Sequence, residues 1–380
     1  MAGRVTPPRR IYLDGNSLGP PTVGTADALR SLVEQCDDEL IGGWNAGWWD
    51  LPVAVGERIA PLVGAAPGQV VVGDSTTVMW FKAVGAALRL RPDRTTIVTQ
   101  TGGFPTDRHA IDALGALVVA VRPDELADSL GPDAAVLAVT HVDYRTGRRL
   151  DMAALTAAAH AAGAVAVWDL SHSTGAMDLH LDDAEVDLAV GCTYKYLNGG
   201  PGSPAFVYVA SHHLPVLDQP LPGWVGHADP FSMSEVHEPA EGIRRMLSGT
   251  PSVLALAALD YALGRFDGVD LVALRARSLE LTDRFIAGAD ALSLEVVTPR
   301  QHEDRGSHVS LRHEHAWEVV QALIDAGVIG DFRPPDLIRL GFPPLDVTDD
   351  DVDEALSRLA TVLATASWER WVDVPRPSVT

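Results

Sequence analysis

Cysteine is scarce in this chain. Cys36 and Cys192 are the only two in 380 residues, too few for a disulfide framework and too sparse for a cysteine-rich zinc site. A reducing, cytoplasmic setting is the expectation. Positive charge is also in deficit: 29 Lys and Arg stand against 51 Asp and Glu, a net charge of −22. That balance argues against nucleic-acid binding, which needs clustered basic residues, and against anionic membrane surfaces. An anionic ligand must be caught by a local positive site. No apolar run reaches 18 residues, so no membrane span is expected. The opening MAGRVTPPRR has no apolar core and does not read as a secretory signal. No GxxxxGKS/T or GxGxxG loop is present, so a nucleotide site is not expected. A Gly-x-Ser-x-Gly elbow is missing too. The thirteen histidines include no HExxH, and no metal site is expected.

What is present is the composition of a globular protein, 47% hydrophobic and 21% charged, with a length that suits two sub-domains around one site. The middle of the chain alternates short apolar runs with alanine-rich stretches. Thr95–Gln100, Leu117–Val121, Ala134–Thr140, Ala164–Leu170 and Val186–Cys192 read as strands. Met79–Leu88 and Met152–Ala162 read as helices, the latter stopped by Gly163. Apolar strands alternating with helices predict an α/β domain with a mostly parallel sheet covered on both faces. Helices over Ser252–Phe266 and Leu271–Ile286 then lead to an α+β unit, with strands near Ser307–Leu311 and Leu337–Leu340 and helices over His315–Ala326 and Asp349–Ala366. The expected organisation is a large domain over 55–255, and a smaller one made of 1–54 together with 256–380.

Two residues carry the strongest chemical signal. Asp169 ends one apolar strand, and Lys195 follows the next, 26 residues later. Open α/β sheets bind ligands at the carboxyl ends of their strands. A lysine and a carboxylate delivered there suit pyridoxal 5'-phosphate (PLP): the lysine can form a Schiff base with the aldehyde, and the carboxylate can pair with the pyridinium nitrogen. Taken alone, Asp169 reads equally well as a helix cap and Lys195 as a surface lysine. Asp74–Thr77, opening a helix, offers free N–H groups to a phosphate, or a simple cap. Phe104, in the Phe104–Asp107 turn, could stack on a flat ring or fill the core. Arg339, inside an apolar strand, needs a partner; a substrate carboxylate and an internal acid fit equally. Trp48, Trp49 and Trp224 could line an aromatic pocket or pack in the interior.

The runs GCTYKYLNGGPGSPAF, WDLSHSTGA, FPTDRHA, LDGNSLGPP, GWWDLP and FRPPDLIRLGF together resemble the bacterial-type kynureninases, from about Ile11 onward. The resemblance implies the aspartate-aminotransferase-like fold (PLP fold type I), a homodimer, and hydrolysis of L-kynurenine to anthranilate and L-alanine. It implies that Lys195 holds PLP, that Asp169 pairs with its ring nitrogen beside His172, and that Tyr194 is an acid/base. Thr76, Thr77, Phe104, Pro105, Thr106, Asp107, Thr140, Tyr194, Trp224 and Thr250 would surround the cofactor, Trp224 and Thr250 reaching across a dimer. Arg339 with Asn16 and Ser17 would hold the substrate carboxylate, near Trp48. Animal members carry a histidine after the double tryptophan, where this chain has Asp50–Leu51–Pro52. Unmodified kynurenine, rather than its 3-hydroxy form, is therefore expected.

Overall fold

The computed structural model describes residues 9–376. Strand β1 (Ile11–Tyr12) pairs in parallel with a short late strand, Val328–Ile329. After it come helices α1 (Thr25–Glu39) and α2 (Leu51–Ile59). A seven-stranded sheet follows, built from β2 (Val70–Gly73), β3 (Thr96–Gln100), β4 (Leu117–Val121), β5 (Ala134–Thr140), β6 (Val165–Asp169), β7 (Leu188–Gly191) and β8 (Ala205–Val209). Its order is β2-β8-β7-β6-β5-β3-β4. The ladders β4–β3–β5–β6–β7 are parallel, and β8 runs antiparallel to both neighbours. Every residue of β5 and β6 is buried, as expected of parallel strands covered on both faces. Helices α3 (Thr76–Arg89) and α5 (Met152–Ala161) pack on the sheet and α4 (Pro105–Asp112) adds Ala110 and Ile111 to its core, while α6 (Val253–Leu263) packs on α1 and α2. Val71, Trp80, Val84, Val136, Val167 and Val207 belong to the resulting core.

The late part of the chain begins with α7 (Leu271–Ala291) and contains β9 (Glu295–Val296), β10 (His308–Arg312), α8 (Ala316–Asp325), β11 (Val328–Ile329), β12 (Asp331–Arg333), β13 (Leu337–Gly341) and α9 (Asp349–Ala364). Four of these strands form an antiparallel sheet, β12-β13-β10-β9. It packs its own core around Phe285, Val309, Trp317, Ile338 and Phe342. Thr348 caps α9 with a reciprocal bond to Asp351, which fixes where that helix starts.

Contacts divide the chain into two compact units. One holds the chain up to Leu18, Tyr144–Arg149 and the chain from Asp270. The other holds Gly19–Asp143 and Leu150–Val269. Residues 19–54 and 256–269 thus lie with the large sheet in this division, where the sequence reading groups them with the smaller domain. The five strands expected in the middle of the chain all form, and β2 and β8 complete the sheet. Among the described residues, no helix is long and apolar enough to cross a membrane.

Candidate active site

Asp169 and Thr140 end adjacent parallel strands and face each other in register. Their placement at the carboxyl edge follows from the strand direction. The chain then turns sharply: the Ser171 N–H donates to Asp169 Oδ1 at 2.8 Å, and His172 follows, buried. Lys195 lies on the loop after β7. Asn198 adopts a left-handed backbone, φ 57°, which asparagine tolerates better than most residues. Its N–H donates to the Lys195 carbonyl at 2.9 Å, and the Gly199 N–H donates to the Thr193 carbonyl at 2.9 Å. The Thr193 hydroxyl lies 2.6 Å from the Pro204 carbonyl. This tightly closed loop aims the lysine amine at His172, with Nζ 3.3 Å from Nε2 and 3.5 Å from Nδ1. Nζ also lies 5.8 Å from the centre of the Tyr194 ring.

Gly19 braces the loop from outside. Its N–H donates to the Tyr194 carbonyl at 2.7 Å, and a Cβ there would stand 2.0 Å from the Lys195 carbonyl oxygen. Only glycine allows that approach.

Asp107 brings a second acid. Pro105 and Thr106 open α4 with Phe104 as its cap residue, a position where proline costs no hydrogen bond. The Trp80 indole N–H donates to the Asp107 carbonyl at 3.2 Å, and the Thr140 hydroxyl lies 3.4 Å from the Asp107 carboxylate. Gln100 Oε1 accepts from the Thr140 N–H at 3.2 Å. Phe104 is 46% exposed.

The electrostatics are those of two carboxyls out of water. Burial drives the Asp169 carboxyl up; the Ser171 donors and the Lys195 charge pull back against it. Asp107 is driven well up by burial and then by Asp169, with Lys195 and Thr140 opposing. Burial, followed by Cys192 and Asp169, also raises Tyr194, so its phenol stays protonated at neutral pH. An ammonium near two such acids favours their charged forms. Cys192 is buried, and desolvation raises its thiol, so it has neither the access nor the thiolate character of a nucleophile.

Thr76 and Thr77 occupy the first turn of α3, and the Ser75 hydroxyl caps that helix by accepting from the Val78 N–H at 3.4 Å. Lys82, one turn further, escaped the sequence reading. Its side chain is fully buried and donates to Asp74 Oδ2 and to Ser248 Oγ, both at 2.9 Å. Ser248 in turn donates to the Leu221 carbonyl at 2.5 Å, and its own carbonyl accepts from the Val225 N–H at 3.2 Å. The segments carrying Trp224 and Thr250 are therefore tied to the opening turn of α3. Trp224 is 40% exposed and packs on Trp49 and Phe231. Trp48 stands edge-on to Trp44, and its indole nitrogen is buried without a partner.

In the smaller unit, Arg339 is occupied. Its Nε donates to Asp331 Oδ1 at 2.8 Å, Nη2 donates to Asp331 Oδ2 and to Ser17 Oγ (2.6 Å), and Nη1 donates to the Tyr144 carbonyl at 2.5 Å. The internal acid that the sequence left open is Asp331, directly across the β12–β13 ladder. Ser17 also donates to Asp331 Oδ2 at 2.6 Å. Beside them, the Asn16 side chain is fully buried with neither amide atom bonded. Asp14 is pushed up to about 7, by burial and then by Asp331.

The donor set of the larger unit fits PLP. A lysine amine, the buried Asp169 carboxyl with Asp107 beside it, and a helix N-terminus match an aldehyde, a basic ring nitrogen and a phosphate.

The comparisons with known proteins point the same way. The profile of the kynureninase C-terminal domain matches residues 274–359. The chain is 49% identical to a kynureninase of Deinococcus radiodurans over 369 residues, covering 93% of this chain and 90% of that one. It is 45% identical to a kynureninase of Pseudomonas fluorescens over 387 residues, covering 97% and 93%. Among solved structures, a C-DES mutant with glycine covalently linked to its PLP cofactor superposes with a TM-score of 0.78 at 17% identity, over 92% of this chain and 96% of that one. At that identity the likeness speaks for the fold alone.

Proposed function

The chain belongs to the kynureninase family, and on that premise we propose that it hydrolyses L-kynurenine to anthranilate and L-alanine in tryptophan catabolism, with PLP held by Lys195. The observation that carries the site assignment is the gathering of the Lys195 amine, His172, the buried Asp169 carboxyl at the end of β6 and the part-buried Asp107 carboxyl in the first turn of α4.

When bound, PLP supplies an electron sink for negative charge at the substrate Cα. The chain's own residues do the rest. Asp169, held by Ser171, keeps a positive charge on the ring nitrogen. His172 orients the Lys195 amine, which takes the proton from Cα as base. Tyr194, kept protonated by its surroundings, gives a proton to the leaving Cβ after water has added at the γ-carbonyl. Thr76 and Thr77, at the α3 N-terminus, would anchor the phosphate, and Phe104 would hold the ring. In the smaller unit, Arg339 with Ser17 and Asn16 holds the substrate carboxylate; the unpaired Asn16 amide supports this. Asp50, where animal members have histidine, pairs with Arg244 at 2.5 Å, so it offers no ring donor and favours the substrate without a hydroxyl.

We further propose a cytoplasmic homodimer. The two free cysteines support the compartment. The exposed Phe231 and Met233, the former packed on Trp224, support an apolar contact between copies, which size-exclusion chromatography would test.

The decisive assay mixes the purified holoenzyme with L-kynurenine and follows anthranilate fluorescence. Wild type should release anthranilate. Lys195→Ala should lose both turnover and the visible absorbance of lysine-bound cofactor. A cofactor-loaded wild type that releases none, or a Lys195→Ala variant with normal turnover, would defeat the reading.

A further inference from the structure

A second cluster of titratable side chains sits at the opposite edge of the large sheet, where β7 begins. Asp187 immediately precedes β7, and Leu188 pairs with Val209 at the end of antiparallel β8. The Ala210 N–H donates to the Asp187 carbonyl at 2.9 Å, and the His213 N–H then donates to the Ala210 carbonyl at 2.9 Å. That turn delivers two consecutive imidazoles to one buried carboxylate. His213 Nε2 lies 2.7 Å from Asp187 Oδ1, and His212 Nε2 lies 3.9 Å from the same oxygen. The two rings are 3.9 Å apart. One ligand atom from each of the three residues falls within 4.8 Å of the others.

The other carboxylate oxygen is fixed separately. Asp187 Oδ2 accepts from the Ala166 N–H at 2.8 Å and lies 2.8 Å from His160 Nε2. Outer partners of this kind orient a ligating carboxylate and leave its second oxygen to the ion. We propose that Asp187, His212 and His213 form a binding site for a divalent transition-metal ion of the zinc class, with His160 holding the carboxylate in place.

Two nitrogens and one oxygen are the donors that zinc and its neighbours favour. The two carboxylate–imidazole separations need little adjustment. An ion with tetrahedral bonds of about 2.0–2.1 Å separates its ligand atoms by roughly 3.3 Å. The 2.7 Å pair opens and the 3.9 Å pair closes by about half an ångström each. Three protein ligands leave the fourth position to water, and His212 is 67% exposed, so the ion has a way in. Spacing rules do not reveal such a site, because Asp187 is separated from the histidine pair by a whole hairpin.

The competing account is that the histidines only satisfy a buried carboxylate by hydrogen bonding. Calorimetric titration of the PLP-loaded enzyme with Zn2+ separates the two. One equivalent should bind to the wild type, and affinity should fall at least tenfold in His212→Ala, whose exposed side chain can be removed without unfolding the protein. Zn2+ should raise the melting temperature of wild type and leave that of His212→Ala unchanged. A crystal soaked in Zn2+ should show an anomalous peak next to Asp187 Oδ1. No saturable binding, or equal binding to wild type and His212→Ala, overturns the proposal.

Discussion

Lys82 Nζ donates to Asp74 Oδ2 from a fully buried position, 2.9 Å away, and so pins a residue whose backbone is left-handed, φ 48°. Asp74 is the hinge through which the chain passes from β2 into the first turn of α3. A non-glycine residue held there carries strain that the surroundings must oppose. Burial pushes the Lys82 ammonium down and Asp74 lifts it back, so the buried ammonium depends on the Asp74 carboxylate.

The first prediction follows from that dependence. Lys82→Met should unfasten the α3 opening turn from the Ser248 segment and weaken the seat for the cofactor phosphate. Apoenzyme titrated with PLP and followed by absorbance should show affinity lowered by about tenfold, in the range of one lost charge-assisted hydrogen bond. Binding of pyridoxal, which lacks the phosphate, should be nearly unchanged. Equal losses for both ligands would mean that Lys82 holds the fold rather than the phosphate turn. Ser248→Ala removes one of its partners without stranding a charge, and should give a smaller effect of the same kind.

Asp169 supports a second prediction. Asp169→Asn keeps the size and the Ser171 contact of the side chain but cannot hold a positive charge on the ring nitrogen. Turnover measured by anthranilate release should fall by about a hundredfold or more, the scale of a lost preorganised electrostatic contact. Because burial already disfavours the Asp169 charge, the apoenzyme should melt no lower than wild type. A variant with full activity would remove Asp169 from the mechanism.

How far these residues were legible in the sequence depends on the distance over which their signals act. Strands β5, β6 and β7 are short apolar runs bounded by polar residues, and Asp169 and Lys195 stand where those runs end. Strands β2 and β8 are equally apolar, but periodicity alone cannot tell a run of four or five buried residues from a helix segment. Lys82 was missed because a lysine inside FKAVGAAL reads as a solvent-facing helix residue. Its partners come from elsewhere: Asp74 from the preceding loop and Ser248 from a segment 166 residues away. Asp331 and Arg339 are only eight residues apart, yet they meet because the β12–β13 hairpin places them opposite each other. That register cannot be read without knowing where the hairpin turns.

The Arg339 cluster yields a third prediction. Arg339→Lys removes the fork that engages Asp331 and Ser17 together, since an ammonium cannot bond in two parallel directions. KM for L-kynurenine should rise by about tenfold or more, with a smaller change in kcat, as expected when a carboxylate contact present in both ground and transition states is lost. Asp331→Asn should instead act on the fold. It leaves a buried guanidinium without its counter-charge, and denaturant unfolding should show a loss of about 3–5 kcal/mol. If Arg339→Lys left KM unchanged, the arginine would be structural only.

Asp14 carries the last prediction, which concerns pH. Its carboxyl is pushed from 3.8 up to about 7, by burial first and by the neighbouring Asp331 charge second, while Asp331 itself is held low by Arg339. The folded protein therefore keeps a proton on Asp14 at pH values where the unfolded chain has released it. Stability falls with rising pH wherever the native state binds more protons. The contribution of Asp14 is accordingly unpenalised below about pH 4, declines between about pH 4 and 7, and is flat above. The full difference is at most about 4 kcal/mol, and less to the extent that Asp14 and Asp331 share the titration. Asp14→Asn replaces the acid with a group that never ionises. Urea unfolding should show a variant close to wild type near pH 4 and increasingly more stable than wild type as pH approaches 8. A wild-type profile that rises over this interval, with no difference between the two proteins at pH 8, would show that Asp14 is charged in the fold.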